Sequence, residues 1–305
     1  MNALPELYAG MGYDVVLMGD TLWRSAGALA LASEPSGAVH VGEEAGIRAM
    51  LRRHRRLAAI FCTEHPSGKT VAHFALTAEQ SASVSVQRQF AQHVRRAEGH
   101  GQVRRLDWDA WQTRALACDR ASLARHGTAA APCLHEDGRR RLAAVAARDP
   151  ALILYGYVTG TGEIAAYLLC RIEGGICQGL FVHWDDALAD LRPTHLLYSA
   201  ARKALLALPE VDILRVGRQS IPENPGLDAF KRHAGFQATP CHVGVLVHPL
   251  WAPILERTAT AWLLGLIRRT LAPRFPGLNA LEVLECAAPT RRALRRAQAH
   301  KTRPQ

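Results

Sequence analysis

Long apolar runs, C-x-x-C pairs and metal-spaced histidines are all missing from this chain, and each absence removes a class of answer. The longest uninterrupted apolar run near the C-terminus, residues 261–267, falls far short of the roughly 20 residues that cross a bilayer, so no transmembrane helix is expected. The seven cysteines (Cys62, Cys118, Cys133, Cys170, Cys177, Cys241, Cys286) are scattered. The N-terminus also lacks the charged and apolar regions of a signal peptide, so a cytoplasmic protein with reduced thiols is expected. His135-Glu136 has no second histidine one helical turn on, and no Cys or His cluster has zinc spacing, which predicts no metal. Without a G-x-S-x-G elbow, Ser220 in Gly217-Arg218-Gln219-Ser220 is not marked as a nucleophile. Gly68-Lys69-Thr70 ends like a phosphate-binding loop, but that motif's first glycine would fall at Thr63 and no helix follows, so a hairpin turn is expected.

What is present is enough apolar sequence to fold. Of the 305 residues 49% are hydrophobic and 21% charged, which excludes wholesale disorder and predicts two domains, or one large one with an extension. Lys and Arg outnumber Asp and Glu by 37 to 27, a net +10. From Trp251 to Gln305 ten basic residues face three acidic ones, +7, leaving +3 for residues 1–250. The body is nearly neutral and the tail basic, and a tail charge attracts different partners from a spread one.

Periodicity places short strands at 14–17 and 57–62, the second joined through 65–68 to a strand at 70–76 as a hairpin. Helical spacing covers 85–100, stopped by Gly99 and Gly101, then 107–127, where Trp108, Trp111, Ala115 and Leu116 share an apolar face, and 138–148. From 152 the expected order is strand (152–158), the turn Thr159-Gly160-Thr161-Gly162, strand (164–172), strand (175–184), helix (192–208), strand (212–216), helix (225–233) and strand (241–247). An amphipathic helix over 254–271 carries Trp262, Leu263, Leu266 and Ile267, with Arg257, Arg268 and Arg269 on or near its polar side. After a proline-rich break at 272–276 and a short helix, residues 291–305 are expected to be mobile.

The stretch Pro225-Gly226-Leu227-Asp228-Ala229-Phe230-Lys231-Arg232-His233-Ala234-Gly235-Phe236, with the hairpin, the strand ending at Trp184 and the helix from Arg192, resembles the GNAT acyltransferase superfamily. Within it the residues are most similar to the Fem-like branch, whose members carry G-L-x-x-F-K-x-x-x-G at this point. Val94-Arg95-Arg96-Ala97 and Val103-Arg104-Arg105-Leu106 resemble that branch's link between two lobes. The resemblance covers residues 85–249 well and the first 80 poorly. It implies an α/β fold, a GNAT-like mixed sheet flanked by helices. It also implies a reduced first lobe and linking helix over 1–105, an acyltransferase domain over 106–250, and an amphipathic extension with a basic tail over 251–305.

The activity implied is transfer of an acyl group from an acyl-CoA such as acetyl-CoA to an amine, by direct attack in a ternary complex and without a metal. The splayed central strand, here Gln178, Leu180 and Val182, would hold the pantetheine arm and polarise the thioester carbonyl. The following helix start, with Arg192, Thr194 and His195, would hold the pyrophosphate through its N–H groups and dipole. That segment has none of the glycines of the usual R/Q-x-x-G-x-G/A loop. Lys231 stands four residues before Gly235, where a tyrosine commonly protonates the departing thiolate, and is placed to stabilise developing negative charge. His183 ends a strand where a general base is expected, and Arg218, Ser220 and Asn224 are expected at the acceptor. Plainer readings stay open for each: Lys231 as a solvent-facing charge, Arg218 as a surface salt bridge, Asp185-Asp186 as a turn, Tyr198 as packing and 220–225 as a rigid connection.

Two alternatives accompany the acyl-CoA reading. One is a Fem-like transferase using aminoacyl-tRNA, favoured by Lys231 and by the basic runs at 52–56 and at Arg95, Arg96, Arg104 and Arg105. The other is a catalytically silent GNAT-like protein held at a membrane or an acidic polymer by residues 251–305. The acceptor expected is a small-molecule or cell-envelope amine, with peripheral contact at the inner face of the membrane.

Overall fold

Turn and cap chemistry fixes many of the element ends in this computed structural model, which describes residues 4–34, 43–63, 69–126, 132–219, 224–271 and 281–301. The chain begins with helix α1 (Leu4–Gly10), strands β1 (Val15–Met18), β2 (Thr21–Ala26) and β3 (Ala30–Glu34), helix α2 (Glu44–Arg53), and strands β4 (Ala58–Thr63) and β5 (Lys69–Thr77). Helices α3 (Ala78–Ser83) and α4 (Arg88–Glu98), strand β6 (Gly101–Arg105), and helices α5 (Trp108–Arg114), α6 (Leu116–His126) and α7 (Glu136–Ala146) follow. Then come β7 (Leu152–Thr159), β8 (Ile164–Glu173), β9 (Ile176–Trp184), α8 (Pro193–Leu206), β10 (Ile213–Arg218), α9 (Pro225–His233) and β11 (Gln237–Val247). The chain closes with α10 (Ala252–Leu255), α11 (Thr258–Leu271), α12 (Leu281–Glu285) and α13 (Ala287–Lys301).

Two compact units are interleaved along the chain, one made of residues 1–12, 73–217 and 225–239, the other of 13–72, 218–224 and 240–305. In the first, strands run in the order β10, β9, β8, β7, β6. β9 and β10 are parallel and the others antiparallel. The expected hairpin is β7 with β8, turned at Gly162, whose φ of +88° suits glycine. β8 is buried from Ile164 through Arg171, the pattern of a strand covered on both faces. Tyr167 and Cys170, three residues apart, therefore point to opposite sides. Tyr167 donates to Asp119 on α6, while Cys170 lies close enough to Tyr198 on α8 to help raise its hydroxyl pKa. Asp119 is also ion-paired with Arg139 on α7, whose guanidinium lies 4.4 Å from the Trp111 ring and donates to the Gln112 carbonyl at 2.9 Å.

The single helix expected over 107–127 is two helices, because Ala115 leaves helical geometry (φ −94°, ψ 11°) between Trp111 and Leu116. α9 has the bounds read from the sequence. Gly235 just beyond it sits at φ +91°, where a Cβ would fall 2.5 Å from Val84, so no other residue fits without displacement.

The second unit holds β1, β2, β3, β4 and β11 in that order, with β3 and β4 parallel. The expected pairing of the strand at 57–62 with that at 70–76 is corrected: β4 pairs antiparallel with β11, His242 opposite Thr63 through Val247 opposite Ala58. The turn expected at 65–68 lies outside the described residues. Trp23, Leu31, Ile47, Leu51, Phe61 and Leu246 form its core, joined by Leu294 of α13. The tail expected to be mobile from residue 291 is thus helical to Lys301. Thr290 accepts from the buried Val245 N–H at 3.0 Å, and Arg291 pairs with the buried Glu256 at 3.3 Å. The helix expected over 254–271 breaks after Leu255 into α10 and α11.

Candidate active site

β9 is hydrogen-bonded to β8 over its whole length, but to β10 only where Ile213, Leu214 and Arg215 meet Ile176, Cys177 and Gln178. Among the described residues no strand pairs with that edge of β9 beyond Gln178. The two parallel strands splay there, leaving the backbone of residues 179–184 available on one side. A bulge accompanies the splay, since Leu169 pairs with Phe181 and Cys170 with Gly179, so Leu180 is the extra residue. Plain alternation would put Gln178, Leu180 and Val182 on one face. The bulge instead sets Gln178 (opposite Arg171) and Val182 (opposite Leu168) on different faces.

Beyond β9 the Asp185 carboxylate accepts from the Ala187 N–H at 3.0 Å and caps a 3₁₀ turn (Asp186–Leu191), the plainer role read for it. That turn delivers Arg192 to the start of α8 at φ +57°, with Pro193 in the first turn and no side-chain cap. The buried Nε of Arg192 and Nδ1 of His195 have no hydrogen-bond partner. His195 Nε2 lies 3.0 Å from His93 Nδ1, and its ring packs on Phe90 and Phe230. Burial, with His93 and Arg192 nearby, pushes the His195 pKa down to about 4. An uncapped start of a 14-residue helix with an orphaned guanidinium N–H fits an anionic group such as phosphate.

No protein-family model and no curated protein sequence matches the chain. Solved structures do. The C-terminal domain (DUF2156) of an Agrobacterium fabrum protein described as a lysylphosphatidylglycerol synthetase aligns at TM-score 0.54 and 11% identity, over 89% of this chain and 92% of that one. FemX aligns at TM-score 0.50 and 12% identity, over 83% and 93%. A tandem GNAT protein from the clavulanic acid biosynthesis pathway aligns at 0.47 and 14%, over 76% and 81%. The fold is GNAT/Fem-like.

Within this GNAT fold the residues singled out from sequence are not all at the splay. His183 is on β9 but buried, 8% exposed, and faces α6. There its Nδ1 lies 2.7 Å from Ser122 Oγ, and its Nε2 has no partner. Burial first, then His126 and Arg125, pushes its pKa down to about 3, so it is neutral at pH 7. Lys231 is not the solvent-facing charge of the plainer reading. It is 4% exposed on α9, with Nζ 4.8 Å from the Phe74 ring and burial lowering its pKa against the pull of Asp228. Tyr198 is buried against Phe230 and Phe236, the packing role read for it.

Arg218 falls in the other unit, where it donates to the sulfur of Cys62 at 3.4 Å. Asn224 is exposed and Ser220 lies outside the described residues. Ser122, Asp119 and Arg139 are polar residues that the sequence reading passed over. Asp119 and Ser122 sit on a helix without a clear apolar stripe, so periodicity did not mark them. No group of three or more His, Cys, Asp or Glu that could hold a metal occurs among the described residues, and none of their helices is long and apolar enough to cross a membrane.

Proposed function

We propose that the chain is a GNAT-type acyl or aminoacyl transferase, and in its finer form an N-acyltransferase taking an acyl group from acyl-CoA to an amine. The observation that carries this is the unpaired edge of β9 running into the uncapped start of α8. On this reading the β9 edge offers backbone N–H groups to the carbonyl under attack, where negative charge develops. Arg192 and the first turn of α8 hold the donor's phosphate. His183, the base expected from the resemblance, is buried against Ser122 with its pKa pushed down to about 3, so the proton of the incoming amine is assigned to solvent at the open edge of β9 instead. Lys231 is proposed to supply positive charge as the leaving group departs.

The test is a thermal-shift titration with acetyl-CoA, longer acyl-CoAs, free CoA and charged tRNA. A donor at 100 times its Kd adds about 2.7 kcal/mol. A saturable rise with a thioester supports the acyl-CoA form, and a rise with charged tRNA alone supports the aminoacyl form. No response to either overturns the transferase reading.

A specific observation favours peripheral membrane contact as well. α11 turns Gly265 inward against Glu285, with Arg268 bound to Glu285 at 2.6 Å, and exposes Trp262, Leu263 and Leu266. Leu250, Trp251 and Ile254 are exposed as well. A groove of about 430 Å³ lined by Leu250, Trp251, Arg52, Arg55 and Arg56 adds positive charge beside Leu250 and Trp251. Apolar anchors next to arginines suit an anionic lipid surface. Co-sedimentation with vesicles containing phosphatidylglycerol, but not with pure phosphatidylcholine, is expected. The double change Trp262→Ser with Leu266→Ser should weaken binding at least about tenfold. Equal binding by both proteins would overturn the proposal.

A further inference from the structure

Cys62 and Cys241 come from strands far apart in the chain, yet their sulfurs lie 3.4 Å apart across β4 and β11 of the second unit. The register explains the approach. Val243 is opposite Cys62, which makes Cys241 its diagonal neighbour. Arg218 donates a guanidinium N–H to the Cys62 sulfur at 3.4 Å. Cys62 is 4% exposed, while Cys241 is partly exposed. A second close pair, Cys170 and Cys177 of the first unit, is fully buried, and the hydrogen bond with Cys177, then burial, raises Cys170 well above the ordinary thiol range.

The geometry points to a peroxide-reactive dithiol at Cys62 and Cys241, with Cys62 as the attacking thiolate, Arg218 as its counter-charge and Cys241 as the resolving thiol. The Cys241 hydrogen bond and the Arg218 charge outweigh burial and the Glu34 carboxylate, and bring the Cys62 pKa down to about 6. A thiolate next to an arginine is the reactive form of cysteine. The Cys62 thiolate attacks one oxygen of a hydroperoxide. The S–O bond forms, the O–O bond breaks, and the alkoxide or hydroxide that leaves takes a proton. The Cys241 sulfur then attacks the sulfenic acid sulfur, forming S–S and breaking S–O, and the departing hydroxide leaves as water with the Cys241 proton. Two thiols and one hydroperoxide thus give one disulfide, one alcohol or water from the peroxide, and one further water. Sulfur is oxidised by two electrons and the peroxide is reduced by two.

The assay treats the full-length protein with hydrogen peroxide at neutral pH and follows it by intact mass and non-reducing peptide mapping. The expected product has lost two hydrogens, links the peptides holding Cys62 and Cys241, and reverts with dithiothreitol. Cys241→Ser should instead trap Cys62 as a sulfenic acid captured by dimedone. Arg218→Ala should slow the reaction about tenfold at pH 7, by reducing the thiolate fraction. In the unmodified protein, iodoacetamide alkylation of Cys62 should rise with a midpoint near the value of about 6, below the ordinary thiol at about 8.5. This last measurement does not depend on any variant folding. Oxidation spread evenly over all seven cysteines, a link that omits Cys62, or an alkylation midpoint at the ordinary thiol value would each overturn the assignment.

Discussion

His183 and His195 are held by burial well below the ordinary histidine value of 6.5, to about 3 and about 4. Unfolding returns both rings to water, so between these values and 6.5 the unfolded chain binds more protons than the folded one. Stability present at neutral pH therefore drains away as pH falls from about 6.5 toward 3. Each ring contributes a slope of up to about 1.4 kcal/mol per pH unit. Melting curves between pH 7.5 and 4.5 should show this acid loss, and His183→Gln should flatten it. The Asp119–Arg139 pair is also buried, at 2% and 3% exposure. Arg139→Met leaves Asp119 uncompensated and should cost about 3–5 kcal/mol in urea denaturation, whereas Arg139→Met with Asp119→Leu should cost less, because no lone charge stays behind. Neither residue stood out in the sequence, since a buried ion pair is made by two helices meeting.

The start of α8 shows both what sequence reveals and what it hides. The position of the helix followed from Pro193 and the apolar run after it, but the left-handed φ of Arg192 does not show in a pattern of residue types. Glycine tolerates that φ more readily than arginine. Arg192→Gly should therefore leave the melting temperature unchanged or raise stability by about 0.5–1 kcal/mol, while weakening donor binding about tenfold in the same titration. A parallel loss of stability would mean that the guanidinium serves the fold instead. α9 and the β7–β8 hairpin were legible because proline, glycine and two continuous apolar runs mark them locally. The pairing of β4 was not, because β11 lies far along the chain and nothing near residue 63 announces it. The bulge at Leu180 escaped for a related reason, since an extra residue is defined only by its partner strand.

At the scale of the molecule, the resemblance over residues 85–249 pointed correctly to an α/β chain, and the C-terminal segment is where charge composition misled. A +7 charge looks like a solvated tail, but α13 turns Leu294 and Ala287 into the core of the second unit, while Arg291 pairs with Glu256 and Arg292 and Arg296 are exposed. Truncation after residue 286 should accordingly lower the stability of that unit by several kcal/mol, through lost burial of Leu294 and an orphaned Val245 N–H. Unchanged denaturant midpoints would show that α13 is dispensable.

The pairing of β4 with β11 also sets a timetable for synthesis. β1 through β4 leave the ribosome early, yet the strand that completes their sheet and the helix that covers it are made last. At 5–20 residues per second the wait is roughly 10–40 s. During that interval residues 73–217, the bulk of the first unit, are already available to fold, while the edge of β4 stands open to other chains. Nascent chains stalled before residue 240 should expose that edge to chaperones, and chains released after residue 301 should not.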